Sequence, residues 1–530
     1  MVFTILGFTV SWPLVGTLVA IIVGYEIWHM TYFKRKGVKG PIPFPVVGHS
    51  IDLFQGIHWK SQEYVRKYGN VFGMFMFSSP VFFISDLDMV KDIAVKSFSK
   101  FMNHKTFVLK SRPFDKALIG LKDQHWKDVR NVITPTFSAV KMKQLSGLLN
   151  ESSDTLVKNF GAIQEKEGNV KVFSLFEAFT MDGIAKCAFG IQVDSQNDPS
   201  DPFVTHAKDL MKNRFALKFV IAGIFPRIGK IMDYFEVSTL PPEVSSFFIS
   251  VVDQAIAARK ESGGSKMKDF LQLMLNAAQE NKSEKEMIEE KPQDEKVEGD
   301  LYALIEDQDN KSYFDLKKSK KTTLTKDEIY GQAMLFFLAG YDTINTTLGF
   351  LTYSLATNPE VQDKLIEEID NETPARDDVG YNSVAKMSYL DNVVCEILRL
   401  YPAGLIIERQ CNETHVCNGL TIPKDSQIFF PVYAIHRDPA IWPDPEKFDP
   451  ERFTKENREG RHPLAWMPFG AGPRNCIGMR FALMEIKMAT VRLLQKYRFE
   501  TCPETQIPPK FAKMSLKPDD DLYLRVVERS

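Results

Sequence analysis

One long apolar segment constrains the fold of this chain most. The sequence TKDEIYGQAMLFFLAGYDTINTTLGFLTYSLAT, residues 325–357, predicts a helix that begins near Thr325, whose hydroxyl can cap it. Asp327 and Glu328 follow in the first turn, where the helix dipole favours acids. Because its middle is apolar on almost every side, the helix is expected to run buried through the centre of the protein. Polar residues there need partners or a purpose, and five occur close together: Asp342, Thr343, Asn345, Thr346 and Thr347.

The rest of the sequence mixes helical and strand patterns. Runs such as VFGMFMF and PVFFIS are typical of short strands, and helix dominates from Thr325 until GLTIPKDSQIFFPVYA returns to strand and turn. At 530 residues, with 44% hydrophobic and 25% charged side chains, the chain is too apolar to be disordered throughout and could form one large enzyme fold or several domains. We expect a mainly α fold with small β-sheets.

The N-terminus predicts a membrane anchor. No charged residue lies between Val2 and Tyr25, and a helix needs roughly 20 apolar residues to cross a bilayer. Ser11 can cap this helix, and Pro13 suits its first turn. The alternative is a cleaved signal peptide, but its basic leading region and shorter apolar core are not present. By the positive-inside tendency the rest of the chain stays in the cytosol, because a basic cluster follows at once: Lys34, Arg35, Lys36 and Lys39.

We divide the chain into an anchor at 1–33, a basic and proline-rich hinge at 34–48, and one catalytic domain at 49–530. The hinge has prolines at 41, 43 and 45, which exclude helix and favour a stiff, extended spacer. Residues 280–321 are rich in both charge signs and poor in apolar side chains, so we expect a mobile surface loop there. A partner-docking segment is the alternative for that loop.

One cysteine lies in the glycine-rich stretch MPFGAGPRNCIGMR, residues 467–480. Gly470, Gly472 and Gly478 allow tight turns and the close approach of a flat group, and a helical pattern begins just after Cys476. A thiol ahead of a helix meets free N–H groups, such as those of Ile477 or Gly478, that stabilise a thiolate, and a thiolate is an iron ligand. The alternative is a small buried core residue, the common fate of a free cysteine.

The other cysteines indicate no metal site. The chain has six cysteines and no CxxC pair, so a zinc site is not expected, since tetrahedral sites usually draw their ligands from close pairs. Cys411 and Cys417 are expected to be unpaired thiols, because a cytosolic body disfavours a disulfide. The net charge of −2 gives no reason to expect a nucleic-acid partner.

Five motifs resemble those of the cytochrome P450 monooxygenases. The stretch Phe469-x-x-Gly472-x-Arg474-x-Cys476-x-Gly478 is similar to the haem-binding loop of that family at every defining position. The likeness extends over about residues 40–525 and is greatest to the animal drug- and steroid-oxidising branch related to subfamily 3A. It implies the cytochrome P450 fold, with a single large haem domain. The other four motifs occur in the family's order: Trp126-x-x-x-Arg130, Ala339-Gly340-x-Asp342-Thr343, Glu396-x-x-Arg399 and Pro450-Glu451-Arg452-Phe453.

The resemblance implies haem b as the cofactor. Cys476 would be the axial ligand of the iron, with Phe469 shielding its thiolate from water and an N–H such as that of Gly478 bonded to its sulfur. The haem propionates are anions in an enclosed site, so they require cationic or N–H partners. By resemblance these partners are Trp126, Arg130, Arg409 and Arg474.

On the opposite face of the haem, the resemblance implies that Asp342 and Thr343 handle protons. A hydroxyl bonded back to a helix carbonyl is the alternative for Thr343. The family usually has Thr or Ser at the next position, where this chain has Ile344, so the proton path has one hydroxyl fewer.

The resemblance also implies a buried ion network and an apolar substrate pocket. The network comprises Glu396, Arg399 and Arg452, and it would be structural and needed for haem incorporation. The alternative is a solvated salt bridge, which is more common for a lone Glu–Arg pair at this spacing. The pocket would bind a lipophilic substrate such as a steroid, a fatty acid or a xenobiotic. Its candidates, each also a normal core residue, include the loop at 107–120 and Phe336, Phe337, Ala339, Ala403, Leu405 and Ile407.

The expected function is that of a haem-thiolate monooxygenase that uses O2 and NADPH. Because no Rossmann or flavin fingerprint occurs, electrons would come from a separate NADPH-cytochrome P450 reductase, with cytochrome b5 as a further candidate donor. Arg474, Arg480 and Lys127 would face the acidic reductase. The protein would lie in the endoplasmic reticulum membrane, with its catalytic domain on the cytosolic face. The alternatives are a peroxide-rearranging isomerase of the same fold, which often lacks the Asp–Thr pair, and a non-catalytic haem or lipophile carrier.

Overall fold

The protein is described here by a computed structural model of the 530-residue chain. The structure describes all residues except 1, 6–7, 106–110, 199, 213–216, 239, 262–268, 279–322, 377–378, 513–514 and 530. The predicted mobile loop at 280–321 therefore lies outside the described residues, as do residues 107–110 of the predicted substrate loop.

Helix predominates, as the sequence predicts. The first group of helices is α1 (Trp12–Met30), α2 (Tyr32–Arg35), α3 (Ser50–Tyr68), α4 (Leu87–Lys91), α5 (Asp123–Ile133), α6 (Ala139–Glu167), α7 (Val172–Phe189), α8 (Pro202–Lys212), α9 (Leu217–Ile224), α10 (Pro226–Tyr234), α11 (Pro242–Glu261) and α12 (Phe270–Ala278). The second group is α13 (Lys326–Thr357), α14 (Pro359–Glu372), α15 (Tyr381–Lys386), α16 (Ser388–Leu400), α17 (Val432–Ile435), α18 (Lys455–Arg458) and α19 (Met479–Lys496).

The strands form small sheets at the periphery. They are β1 (Val2–Ile5), β2 (Phe8–Ser11), β3 (Val71–Met76), β4 (Ser79–Ile84), β5 (Val170–Lys171), β6 (Ile407–Gln410), β7 (His415–Cys417), β8 (Leu420–Ile422), β9 (Gln427–Phe430), β10 (Tyr497–Glu500) and β11 (Tyr523–Glu528). The largest sheet has the order β3-β4-β9-β6, with β4 and β9 parallel and the other neighbours antiparallel. The remaining sheets are β10-β11-β5 and the hairpins β1-β2 and β7-β8.

The predicted central helix is α13. Its N-terminus is a capping box: the Glu328 N–H donates to the Thr325 hydroxyl at 3.3 Å, and the Thr325 N–H donates to the Glu328 carboxylate at 2.7 Å. This pairing satisfies two of the free donors of the first turn. Helices α7, α16 and α19 pack on α13, and its second half is almost entirely buried.

The N-terminal segment agrees with the predicted anchor and differs from the predicted spacer. Helix α1 is long and apolar enough to cross a membrane, and none of its residues is buried. The prolines of the hinge interrupt helix as expected, but the hinge does not stand away from the body. Phe33 is buried against Phe75 and Phe82, and the Gly73 N–H donates to the Lys39 carbonyl at 2.8 Å. Hydrophobic burial therefore holds the segment against sheet β3-β4.

Candidate active site

The Cys476 loop is a tight turn just ahead of α19. The Cys476 N–H donates to the Phe469 carbonyl at 2.8 Å, and a short 3-10 turn spans Gly472–Arg474. Gly472 has φ +71°, and a Cβ there would collide with the carbonyl oxygen of Ala94. Only glycine lets this loop approach that neighbouring segment.

The Cys476 side chain is exposed although its surroundings are core. Gly472, Arg474 and Met479 on either side of it are buried. Although the side chain is accessible, protein surrounds it closely, and this desolvation raises the pKa of the Cys476 thiol. The N–H of Gly478 and the charge of Arg130 oppose that rise. The predicted N–H donor is thus found at Gly478, whose φ of −85° requires no glycine. An accessible sulfur just ahead of a helix is available as an axial metal ligand.

Three buried guanidinium groups lie beside this loop. Arg474 donates to the carbonyls of Met102 and Leu121, at 2.8 and 2.9 Å, and its guanidinium carbon lies 4.6 Å from the centre of the Trp126 ring. Arg130 donates to the carbonyl and the side-chain oxygen of Asn475, both at 3.0 Å. Arg409 donates to the Ala471 carbonyl at 3.0 Å. The structure thus brings together all four predicted propionate partners.

This cluster has an excess of positive charge. Burial, followed by the charges of Arg409 and Arg130, lowers the pKa of Arg474 to about 9, with Glu408 and Asp123 opposing. Burial lowers the pKa of Arg409 to about 10. The Nε atom of Arg409 is buried and has no hydrogen-bond partner among the described residues. Three guanidinium groups held this close together suit an anionic ligand, and the residues present fit a haem with two propionates.

Two residues in the middle of the central helix are accessible. Ala339 and Thr343 are exposed, whereas most of their neighbours on α13 are at least half-buried. The Thr343 hydroxyl donates to the Ala339 carbonyl at 2.7 Å, which is the back-bonded arrangement considered as the alternative. Gly340 lies against Ile184 of α7, where a Cβ would be too close. The carboxylate of Asp342 forms an ion pair with Lys517.

The predicted ion network is present and is not a solvated pair. Glu396 and Arg399 are fully buried and joined by two hydrogen bonds of 2.6 and 2.8 Å. The Nε atom of Arg452 lies 3.4 Å from the Glu396 carboxylate. Arg399 also donates to the carbonyl of His436 at 2.8 Å. The network therefore fastens α16 to the segment that precedes the Cys476 loop.

The substrate-pocket candidates separate into two groups. Ala403 is exposed like Ala339, and Leu405 and Ile407 are half-buried. Phe337 does not fit the prediction, because its ring is buried among Phe189, Phe203 and Phe248. Phe336 is half-buried against Phe137 and Phe270.

Arg474 and Phe469 differ in how deeply they are buried. Arg474 cannot face a reductase, since it is buried and bonded to backbone carbonyls; Arg480 and Lys127 are partly exposed. Phe469 is half-buried beside Trp466, with ring centres 6.4 Å apart. All six cysteines are free, including Cys411 and Cys417, as predicted.

Sequence reasoning missed three residues that support the site. His436 is fully buried and accepts a hydrogen bond from the Met467 N–H at 3.0 Å, which links the ion network to the start of the Cys476 loop. Its signal was a histidine directly after the apolar run of α17. Lys517 pairs with Asp342, which lies 175 residues earlier in the chain, and no local sequence pattern identifies it. Asn475 follows Arg474 inside the loop and binds Arg130.

Comparison with known proteins gives consistent matches along the chain. The family model for Cytochrome P450 matches residues 38–299 and 285–525. The chain is 36% identical over 524 residues to cytochrome P450 3A27 of Oncorhynchus mykiss, covering 98% of this chain and 95% of that relative. It is 35% identical over 523 residues to cytochrome P450 3A56 of Fundulus heteroclitus, covering 98% of each chain. It is 36% identical over 522 residues to cytochrome P450 3A2 of Rattus norvegicus, covering 98% and 97% of the two chains.

Proposed function

The chain belongs to the cytochrome P450 family, is an oxidoreductase related to the 3A members, and on that premise we propose that it inserts one atom of O2 into a lipophilic substrate with electrons from NADPH. The observation that supports this most is the exposed thiol of Cys476 beside a buried cluster of three arginines, Arg130, Arg409 and Arg474. That pairing suits a flat metal cofactor with anionic groups at one edge.

Different residues of the site are proposed to bind different parts of haem b. Cys476 is proposed as the iron ligand, with the Gly478 N–H bonded to its sulfur to moderate electron donation. Arg130, Arg409 and Arg474, together with Trp126, are proposed to hold the propionates. When bound, the haem supplies the iron at which O2 is activated.

Asp342 and Thr343 are proposed to deliver protons on the opposite face. The Thr343 hydroxyl is accessible and donates its one hydrogen to the Ala339 carbonyl, so its oxygen can accept a hydrogen bond from a group on the accessible side. To pass a proton to that group, the hydroxyl would rotate away from the carbonyl. The Asp342 carboxylate is held by Lys517, and it would relay protons from that side of the helix. Ile344 is buried and contributes no hydroxyl.

The substrate is proposed to be lipophilic. Ala339, Ala403 and Leu405 offer accessible apolar surface and no charge, which favours a steroid, a fatty acid or a xenobiotic over a charged metabolite.

We propose that the electrons come from a separate NADPH-cytochrome P450 reductase, with cytochrome b5 as a second donor. Lys127 on α5 and Arg480 on α19 are partly exposed near the Cys476 loop and would attract an acidic partner. The anchor helix α1, followed by its basic cluster, favours the endoplasmic reticulum membrane with the catalytic domain on the cytosolic side.

The first test is the difference spectrum of the full chain, reduced with dithionite and exposed to carbon monoxide. We expect a strongly red-shifted Soret band, because a thiolate ligand donates electron density to the iron. Cys476→His should move the band to the position typical of histidine-ligated haem, and Cys502→Ser, which changes a half-buried thiol elsewhere, should not. A wild-type band at the histidine position in folded protein would overturn the assignment of Cys476.

The second test separates the proposed activity from its alternatives. With reductase and NADPH, we expect substrate-dependent NADPH consumption and a hydroxylated product from a panel of steroids, fatty acids and drugs. Turnover of a lipid peroxide without NADPH would identify an isomerase. Ligand binding without any NADPH consumption would identify a carrier.

A further inference from the structure

Three side chains with metal-binding atoms meet where strand β7 approaches the helical turn Asp92–Lys96. His415 and Cys417 lie two residues apart in strand β7, so their side chains point to the same face. That face is turned toward Asp92, at the start of the helical turn Asp92–Lys96. The nitrogen, sulfur and oxygen atoms of the three side chains all lie within 4.8 Å of one another.

The contacts among the three are close. The His415 Nε2 atom lies 2.8 Å from the Asp92 carboxylate, and the Cys417 thiol is hydrogen-bonded to the same carboxylate. The Ser97 hydroxyl donates to the other Asp92 oxygen at 2.9 Å. The Phe101 ring meets the imidazole edge-on at a centre-to-centre distance of 5.4 Å. Ser97 and Phe101 thus orient two of the three groups from outside, as supporting residues of metal sites do.

Burial and charge also suit a divalent cation. Cys417 is 5% exposed, and the side chains of His415 and Asp92 are 13% and 26% exposed. A thiolate and a carboxylate together carry two negative charges, so they would neutralise a doubly charged ion in this partly enclosed position. One histidine nitrogen, one thiolate and one carboxylate form a ligand set that zinc accepts, with water completing a tetrahedron.

We propose that Asp92, His415 and Cys417 bind one zinc ion, with water as the fourth ligand. This revises the expectation from the sequence, which excluded zinc because no close cysteine pair exists. Zinc bonds of about 2.0 to 2.3 Å require ligand atoms roughly 3.3 to 3.7 Å apart, so the 2.8 Å contact between His415 and Asp92 must open slightly. Binding replaces the thiol proton, which leaves to solvent, and uses the neutral imidazole.

In the absence of the ion the thiol keeps its proton. Burial, and then the hydrogen bond and negative charge of Asp92, raise the pKa of Cys417 to about 12. Burial acts to raise the pKa of Asp92 as well, but hydrogen bonds from His415, Cys417 and Ser97 outweigh it and lower that pKa.

The site is connected to the cysteine loop through one short segment. The turn Asp92–Lys96 contains Ala94, whose carbonyl packs against Gly472. A zinc ion would fix the start of this turn to strand β7, and it would thereby stiffen one wall of the loop. The proposal does not depend on the activity proposed above, because the three ligands lie outside the haem site.

The test uses the full-length haem-loaded protein in detergent, stripped with a chelator and dialysed against buffered zinc chloride. We expect about one zinc per chain by elemental mass spectrometry after gel filtration, with a sulfur shell at about 2.3 Å in zinc-edge X-ray absorption. Zinc should also raise the unfolding temperature, since it binds only the folded chain. Cys417→Ser and His415→Gln should each lose the tightly held zinc, and Cys417→Ser should lose the sulfur shell.

Two matched controls should keep the zinc. Cys411→Ser changes the neighbouring buried thiol, whose hydrogen bond goes to the Glu413 carbonyl. His462→Gln changes a histidine 3.7 Å from Asp88 in a pair without a sulfur ligand. Wild-type protein that retains no zinc, zinc without a sulfur shell, or equal loss in the controls would each overturn the proposal. The wild-type measurements alone decide the question if a ligand variant fails to fold.

Discussion

Thr343 and Thr346 make the same local hydrogen bond in different surroundings. Each hydroxyl donates to the carbonyl four residues earlier, at 2.7 Å for Thr343 and 2.8 Å for Thr346. Thr343 is exposed, whereas Thr346 is buried. The two residues therefore separate the effect of a hydroxyl on the helix from its effect on the chemistry.

We expect Thr343→Ala to divert electrons from product to hydrogen peroxide. Positioned acid–base groups contribute about 100-fold or more to proton transfer, so the product formed per NADPH should fall several-fold while peroxide rises. The measurement is the ratio of peroxide and product to NADPH consumed with reductase present. Thr346→Ala should leave that ratio unchanged. Equal effects of the two substitutions would contradict a proton-delivery role for Thr343.

His436 should make stability depend on acidity. Burial and the charge of Arg399 lower the pKa of His436 to about 3, whereas an unfolded histidine has a pKa of about 6.5. Above that value both states are neutral. As the pH falls from about 6.5 toward 3, His436 binds a proton in the unfolded chain but not in the folded protein. The unfolding free energy therefore falls by up to about 1.4 kcal/mol per pH unit.

The test compares His436→Gln with wild type in urea unfolding at neutral and acidic pH. Because other groups also titrate, the quantity of interest is the difference between the two slopes, and we expect the variant to be less sensitive to acid. His58, whose pKa is lowered to about 4 mainly by burial, supplies a second case: His58→Gln should also reduce the slope. Identical slopes for wild type and His436→Gln would be inconsistent with a neutral buried imidazole.

Local sequence identified the central site residues but not their distant partners. Cys476, Arg474 and Trp126 lie in recognisable motifs, and the structure brings the last two into contact. The pairing of Asp342 with Lys517 joins segments far apart in the chain, so only the fold creates it. Phe337 was misassigned because helical periodicity cannot tell a side chain lining a cavity from one packed between neighbouring helices.

At the scale of elements, one network joins α16 to the segment that leads to the cysteine loop. Glu396 lies between Arg399 and Arg452, and it also accepts the Asp449 N–H at 2.9 Å. Glu396→Gln leaves two buried cations without their anion, so we expect a loss of about 3 to 5 kcal/mol in unfolding free energy and poorer haem retention. Chemical unfolding and haem content per chain are the measurements.

The neighbouring Glu451 provides the control for this prediction. It belongs to the same motif as Arg452 but pairs with Lys364 on the surface, where both side chains are about half exposed. Glu451→Gln should cost no more than about 1 kcal/mol and should leave haem content unchanged. If Glu396→Gln were equally mild, the network would not be the structural element described here.

The elements themselves were largely predictable. Helix α13 has a capping box and an apolar middle, both local signals, and β3 and β4 are short apolar runs joined by a tight turn. The parallel pairing of β4 with β9, by contrast, brings together segments 346 residues apart, as in the pair Phe83 and Phe429. No local pattern specifies such a pairing. The hinge was predicted as a spacer because its prolines were visible but its contact with Gly73 was not.

At the scale of the whole molecule, exposed apolar side chains collect on one side. The end of α1 lies against sheet β3-β4, where the His29 and Phe75 rings are 4.9 Å apart. Helix α9 reaches the same sheet through Gly223, which abuts Phe77. Helix α10 follows directly, and Ile231 and Phe235 at its end are 57% and 71% exposed. The anchor and these side chains could therefore contact one membrane together.

We expect a chain lacking residues 1–33 to keep part of its affinity for membranes. Each fully buried apolar side chain contributes about 1.5 to 3 kcal/mol, so Ile231→Ser combined with Phe235→Ser should lower partitioning into neutral phosphatidylcholine vesicles at least about tenfold. Vesicle flotation measures it. Lys230→Ser, on the same helix, should have little effect. Unchanged flotation of the double variant would exclude this face as a contact with lipid.

The accessibility of Ala339 and Ala403 has a consequence for how such an enzyme diversifies. Their side chains pack against little protein, so substitutions there would remove few stabilising contacts, whereas Gly340 is confined by Ile184. New substrate preferences can therefore accumulate at the two alanines through single mutations that leave the fold intact. Laboratory evolution that randomises these two positions should yield many folded variants with altered products, and randomising Gly340 should yield few folded ones.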